Sequence, residues 1–152
     1  MIEEGGYVPK FQLSDSNGKL VKSSDLKGKK HVIYFYPRDF TPGCTTEADE
    51  FSKDYNKFKE AGIEIVGISK DDVDSHRKFC DKMKIPYILL SDVDTEVSKK
   101  FGIWGKKKFM GREYMGISRR TYIIDEQGII ENVYKEVKTR SHAQDILKDL
   151  AS

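Results

Sequence analysis

Residues 31–44 read HVIYFYPRDFTPGC, and the rest of the chain can be placed from this stretch. Val32, Ile33, Tyr34, Phe35 and Tyr36 are β-branched or aromatic without interruption, the composition of a strand buried on both faces inside a sheet. Pro37 lacks the N–H that a ladder needs and ends the strand. Thr41-Pro42-Gly43 is a turn sequence, and Glu47, Ala48, Asp49 and Glu50 continue as a helix whose acidic residues suit its positive end. Cys44 is thereby delivered to the first turn of a helix. That position favours the thiolate, the reactive form of a cysteine, because a helix N-terminus or a nearby cation stabilises the anion. A plain buried cysteine is the bland alternative, but the Pro, Thr and Gly before it and the helix after it weigh toward chemistry. Thiolate formation alone is a limited source of rate, since nucleophilicity falls as basicity falls. A hydroxyl and a cation that converge on Cys44 are therefore expected elsewhere in the chain.

Upstream, Phe11-Gln12-Leu13 and Leu20-Val21 flank Asp15-Ser16-Asn17-Gly18, where Asn-Gly signals a tight turn and predicts an N-terminal β-hairpin. Ser23-Ser24-Asp25 caps a short helical turn before the central strand. Downstream, Ala48, Phe51, Tyr55 and Phe58 recur at helical spacing and predict one helix that stops at Gly62. Residues 63–68 read as a second buried strand, and Asp71-Asp72 cap a helix that runs to about Met83 and carries Phe79 and Cys80. Residues 87–90 form a third strand and residues 94–101 a short helix. Residues 121–124 and 129–134 make a hairpin, and Ser141 caps a final helix to Leu150.

Strands that alternate with helices and close on a hairpin and helix predict an α/β fold of three layers, a central mixed sheet with helices on both faces. Ligands in such folds sit beyond the carboxyl ends of the strands, where Cys44 falls. Residues 102–118, with Gly102, Gly105, Gly111 and Gly116, are too long and too broken for a simple connection. Trp104, Phe109, Met110, Tyr114 and Met115 are too apolar for a disordered loop and are expected to rim the site.

With 152 residues and 38% apolar content, the chain is expected to form a single domain over residues 1–152 with a substantial core. Its 27 basic and 25 acidic residues are mixed along the sequence and leave a net charge of +2, which argues against a nucleic-acid or membrane surface. Lys106-Lys107-Lys108 reads as a solvated run. No apolar stretch approaches the roughly 18 residues of a membrane span, and MIEEGGYVPK lacks the basic start and apolar core of a signal peptide, so a cytoplasmic location is expected. Two widely separated cysteines without an export signal point to redox or catalytic use rather than a disulfide scaffold.

Pro37-x-x-x-Thr41-x-x-Cys44 resembles the active-site signature of the peroxiredoxins, and Thr41-Pro42-Gly43-Cys44-Thr45 with Glu47-Ala48 is similar to the bacterioferritin comigratory protein or peroxiredoxin Q subgroup. The likeness extends to Phe101-Gly102-Ile103-Trp104-Gly105, to Phe109-Met110-Gly111 and to Gly116-Ile117-Ser118-Arg119, and so covers nearly the whole chain. It implies a thioredoxin-like fold, reduction of hydrogen peroxide and organic hydroperoxides, no metal or organic cofactor, thioredoxin or a similar dithiol as reductant, and a monomer. By the same resemblance Cys44 is the peroxidatic cysteine, Thr41 hydrogen-bonds the thiolate and the peroxide, Pro37 shields the pocket and Arg119 is the active-site cation. Glu47, one turn from Cys44, would oppose a thiolate, so Arg119 is expected to balance both.

Many members of that subgroup carry a resolving cysteine five residues after the peroxidatic one, where this chain has Asp49. Cys80 instead resembles the resolving cysteine of relatives that place it in the following helix. The implied chemistry is condensation of a Cys44 sulfenic acid with Cys80 to an intramolecular disulfide, followed by reduction. Both cysteines sit on helices, so the bridge requires local unwinding. A one-cysteine enzyme with Cys80 as core packing stays open as the alternative. A thiol-disulfide oxidoreductase of the thioredoxin type would need a second thiol where Cys44-Thr45-Thr46-Glu47 has its glutamate. A metal module built on His76 and Cys80 has too few ligands, since His31 and His142 offer no matching spacing.

Overall fold

The computed structural model describes residues 2–151. In order these form β1 (Gln12–Asp15), β2 (Leu20–Lys22), a short 3-10 turn (Ser23–Leu26), β3 (Lys30–Phe35), α1 (Pro42–Lys53), α2 (Tyr55–Glu60), β4 (Ile63–Ser69) and α3 (Val73–Met83). Then follow β5 (Ile88–Ser91), α4 (Glu96–Lys100), β6 (Trp104–Phe109), β7 (Arg112–Ile117), β8 (Arg120–Ile124), β9 (Ile130–Tyr134) and α5 (His142–Ala151). Among the described residues the main sheet has the order β2-β1-β5-β4-β3-β8-β9. Strand β3 lies parallel to β4 and antiparallel to β8, and the expected N-terminal hairpin β1–β2 joins through an antiparallel pairing of β1 with β5. The sheet is therefore mixed, as the strand and helix alternation predicts.

Successive side chains of a strand point to opposite faces, and β3 shows why its run is apolar throughout. Ile33 and Phe35 join Val66, Ile68, Phe101, Ile103, Tyr122 and Leu26 in one core layer. Val32, Tyr34 and Tyr36 join Cys44, Phe51, Phe58, Phe79 and Ile146 in the other. Helices α1, α2, α3 and α5 supply the second layer, while α4 and the 3-10 turn contribute Val97 and Leu26 to the first. Gly67 on β4 is needed on the helical face of the sheet: a Cβ there would lie 2.7 Å from Leu89 Cδ2 and 2.9 Å from the Tyr34 ring, both of the second layer.

Two expectations are corrected. The helix predicted to run to Gly62 is interrupted at Asp54 (φ −96°, ψ 6°) and continues as α2. Aspartate is a weak helix former, and its backbone serves both pieces: its N–H donates to the Glu50 carbonyl, and its own carbonyl accepts the N–H groups of Lys57 and Phe58. Apolar spacing does not register the break because Ala48, Phe51 and Phe58 stay buried through it. The segment 102–118, expected to be broken, instead carries a regular second sheet of two strands, β6–β7. It turns at Met110 (φ 52°) and Gly111 (φ 80°), the paired left-handed residues of a two-residue hairpin. Asparagine is the usual first residue of such a turn, so Met-Gly gave no hairpin signal. Met110, Tyr114 and Met115 are exposed rather than packed, Trp104 is half-buried, and the side chain of Phe109 lies outside the described residues.

Candidate active site

Beyond Phe35 the chain stays on the sheet for one more residue, since the Tyr36 N–H donates to the Ile68 carbonyl at 3.1 Å. It then turns away through residues 37–41. Thr41 is extended (φ −79°, ψ 153°) and acts as the backbone N-cap of α1, with Pro42 in the first helical turn, where its missing N–H costs nothing. Cys44 follows in that same turn and is 2% exposed. Phe40 adopts a left-handed backbone (φ 66°), strained for an aromatic residue, and its ring stands edge-on to Phe79 of α3 at 5.0 Å.

The register of β8 brings the cation. Phe35 lies opposite Arg120, so Arg119 precedes the strand just past the carboxyl end of β3, where the loop to Cys44 emerges. Its Nη2 donates to Cys44 Sγ at 3.3 Å and its Nη1 to Glu47 Oε1 at 2.6 Å. Gly43 permits this approach, because a Cβ at that position would lie 3.1 Å from Nη2. Burial pushes the Glu47 carboxyl up to about 7 against the opposing pull of Arg119. Its Oε2 is buried without a hydrogen-bond partner among the described residues. Burial works against the charge of Arg119, but Glu47 and Cys44 outweigh it and raise its pKa. One guanidinium thus spans the sulfur and the carboxylate.

Sequence reasoning missed two neighbours. Lys107, taken as part of a solvated run, is half-buried on β6 and donates from Nζ to the Ile117 carbonyl at 2.8 Å. Burial and then Arg119 lower its pKa, while Cys44 pulls the other way, so its ammonium lies in the field of both. The signal was strand alternation, with Lys106 and Lys108 outward and Lys107 inward, and it becomes readable once β6 is known to be a strand. His142 on α5 is buried beside Thr121, with Nε2 2.8 Å from the threonine hydroxyl. Burial pushes it down to about 4, so it adds no charge near Arg119 at neutral pH.

Thr41 and Pro37 precede α1, and Cys80 lies on α3. The Thr41 hydroxyl donates to the Arg38 carbonyl at 2.9 Å instead of to Cys44, because the 38–41 turn folds that carbonyl back beneath it. Its oxygen lone pairs stay available. Pro37 is half-buried at the start of the same loop. Cys80 is a free, half-buried thiol on α3 among Ser16, Ile85 and Tyr87, and burial raises its pKa while a bond from Ser16 opposes the rise. Cys44 is also a free thiol. Cys44 belongs to the helical core layer, and Cys80 packs against that same layer. His76, four residues before Cys80, turns to Asp39 and the Leu90 carbonyl.

A single thiol held by a guanidinium at the carboxyl edge of a mixed α/β sheet places the molecule among the thioredoxin-like thiol proteins. Residues 5–133 match the AhpC/TSA family. The chain is 42% identical over 149 residues to peroxiredoxin Bcp of Bacillus subtilis, a match covering 98% of this chain and 95% of that protein. Among solved structures, a cysteine mutant of peroxiredoxin Q from Xylella fastidiosa superposes with a TM-score of 0.93 at 30% identity, covering 99% of this chain and 96% of that one. The bacterioferritin comigratory protein of Xanthomonas campestris, described with alkyl peroxide reduction activity, superposes with a TM-score of 0.87 at 35% identity, over 93% and 90% of the two chains. The chain belongs to the AhpC/TSA family, within its Bcp and peroxiredoxin Q group.

Proposed function

We propose that this protein is a thiol peroxidase that reduces hydrogen peroxide and organic hydroperoxides at Cys44. The observation that carries the reading is the 3.3 Å bond from Arg119 to Cys44 Sγ, made by a guanidinium that also holds Glu47. The thiolate attacks one peroxide oxygen, an S–O bond forms and the O–O bond breaks. The other oxygen leaves with the electron pair and takes a proton to become water or an alcohol. Arg119, Lys107 and the amides of the first turn of α1 are arranged to stabilise the charge that develops on that oxygen, and Thr41 can join by turning its hydroxyl from the Arg38 carbonyl. Glu47 tunes the site: ionised, it competes with the sulfur for Arg119, and protonated, it releases that charge.

In this reading Cys80 resolves the sulfenic acid. Its thiolate attacks Cys44 Sγ, the S–S bond forms, the S–O bond breaks, and hydroxide leaves as water after taking a proton. An external dithiol such as thioredoxin then reduces the disulfide. The same reading takes the enzyme as a single-domain monomer of the cytoplasm, without metal or organic cofactor. No helix among the described residues is long and apolar enough to cross a membrane. The test is intact mass after one equivalent of hydrogen peroxide. Wild type is expected to lose two hydrogens, Cys80→Ser to gain one oxygen, and Cys44→Ser to remain unchanged and consume no peroxide. Peroxide turnover in Cys44→Ser would overturn the peroxidase reading. A stable added oxygen in wild type, with unchanged turnover in Cys80→Ser, would leave a one-cysteine enzyme.

A further inference from the structure

Between the loop that leads to Cys44 and helix α3 lies a buried polar network that the peroxide chemistry does not use. Asp39, in that loop, accepts hydrogen bonds from the Tyr36 hydroxyl at 2.6 Å and the Ser75 hydroxyl at 2.8 Å, and faces His76 Nδ1 at 2.7 Å. His76 is fully buried on α3, and its Nε2 lies 3.0 Å from the Leu90 carbonyl of β5. The Asp39 N–H donates to Asp71 Oδ2 at 2.8 Å, an oxygen that also accepts from the Ser69 hydroxyl at 2.6 Å. One imidazole thus ties the loop, α3 and the sheet together. The Asp39, Asp71 and His76 ligand atoms lie within 4.8 Å of one another, but all three side chains are already engaged in protein hydrogen bonds, so the network is complete without an ion.

Both cysteines hang from this network. Residues 39–41 run directly into the helix of Cys44, and Cys80 follows His76 by one turn of α3. The first part of α3 is pinned by the Asp72 cap on the Ser75 N–H, by His76 and by Phe79 against Tyr36 and Phe40. Its last turn carries half-buried Cys80 and ends at left-handed Lys84. A disulfide needs Cα atoms within about 7 Å, yet Cys44 is held by Arg119 while Cys80 sits among Asp15, Ser16 and Arg77.

We propose that the Asp39–His76 bridge is a latch that sets the rate of disulfide formation: closed, it ties the loop before Cys44 to α3, and it must release before Cys80 can reach the sulfenic acid, while Arg119 holds the Cys44 sulfur. This rests on the reading in which Cys80 resolves Cys44. A tight latch prolongs the sulfenic acid and exposes it to a second peroxide, whose oxygen converts it to sulfinic acid with release of water or alcohol. Asp39, His76 and Ser75 act through position and touch no reacting atom.

The test follows both steps by rapid quench and intact mass in the full-length reduced protein, comparing wild type with Asp39→Asn, His76→Gln and the milder Ser75→Ala. Gain of one oxygen is expected near the wild-type rate in all of them. Conversion to the disulfide is expected to speed up roughly ten-fold in Asp39→Asn and His76→Gln and less in Ser75→Ala, the scale set by losing one or two buried hydrogen bonds. The sulfinic fraction in excess peroxide should fall in the same order. Ile130→Val, in the opposite core layer, is expected to lower stability without changing this partition. If wild type forms no disulfide, the resolving role of Cys80 fails and the latch fails with it. If wild type forms the disulfide but Ser75→Ala and Asp39→Asn condense no faster, or if Ile130→Val speeds condensation equally, the latch alone is overturned.

Discussion

At the scale of single residues, the site is a contest for one guanidinium. Arg119→Met keeps bulk and removes the charge, and is expected to slow oxidation of Cys44 by about a hundred-fold, the scale of losing an oxyanion donor; stopped-flow peroxide kinetics measure it. Lys107→Met should slow the same step by about ten-fold, whereas Lys106→Met and Lys108→Met, on the outward side of β6, should leave it unchanged. Glu47 gives a pH signature whose sign is opposite to that of an ordinary salt-bridged acid. Its folded pKa, about 7, lies above its ordinary 4.5, so its contribution to stability is complete below that lower value and is lost as pH rises through about 7. The loss is on the order of 3 kcal/mol at roughly 1.4 kcal/mol per pKa unit. Urea unfolding at about pH 5 and about pH 8 should show it in wild type, and Glu47→Gln should abolish that part of the pH dependence. An equal pH dependence in the variant would mean that Arg119 keeps Glu47 ionised throughout.

At the scale of elements, the first turn of α1 is shaped by what lies across from it. Gly43→Ala should favour the helix, since alanine outranks glycine there by up to about 1 kcal/mol. Its new Cβ, however, would stand 3.1 Å from Arg119 Nη2 and push the guanidinium from the sulfur. The expected outcome is a slower oxidation with stability kept or raised. Thermal unfolding and peroxide kinetics on the same sample would separate the two effects, and parallel losses would point to damage of α1 instead. The β6–β7 hairpin contributes in a comparable way, since it carries Lys107 to the Ile117 carbonyl, two residues from Arg119.

For the whole molecule, the sheet is the platform on which loop and cation meet, and its tightest crossing is at Gly67. Gly67→Ala would bring a methyl within 3 Å of Leu89 and Tyr34, both buried. Neither can retreat without disturbing the α-helical layer, so a destabilisation of about 1–3 kcal/mol is expected from overpacking, measurable by denaturant unfolding. The loss should leave the Arg119 to Cys44 geometry intact and show in stability ahead of activity.

The sequence by itself determined the elements whose signals are local. The unbroken apolar run at residues 32–36 specified a strand covered on both sides, Asn17-Gly18 the first hairpin, Asp72 the start of α3, and Thr41-Pro42-Gly43 the entry of Cys44 into a helix. Each depends on neighbours within a few residues, which is the range over which turn, cap and periodicity rules act. Tertiary structure decided the rest. The Met110-Gly111 turn is made by backbone conformation in a pair without the usual asparagine, so the hairpin and the inward face of Lys107 were hidden together. Whether the Thr41 hydroxyl faced the sulfur or the Arg38 carbonyl depended on how the loop folded back. The resemblance named Arg119 as the cation, but only the antiparallel register of β8 on β3 brings it to both Cys44 and Glu47. The Asp39–His76 bridge joins residues 37 positions apart and has no local signature. Burial, which raises Glu47 and depresses His142, is a property of packed layers that no short stretch of sequence carries.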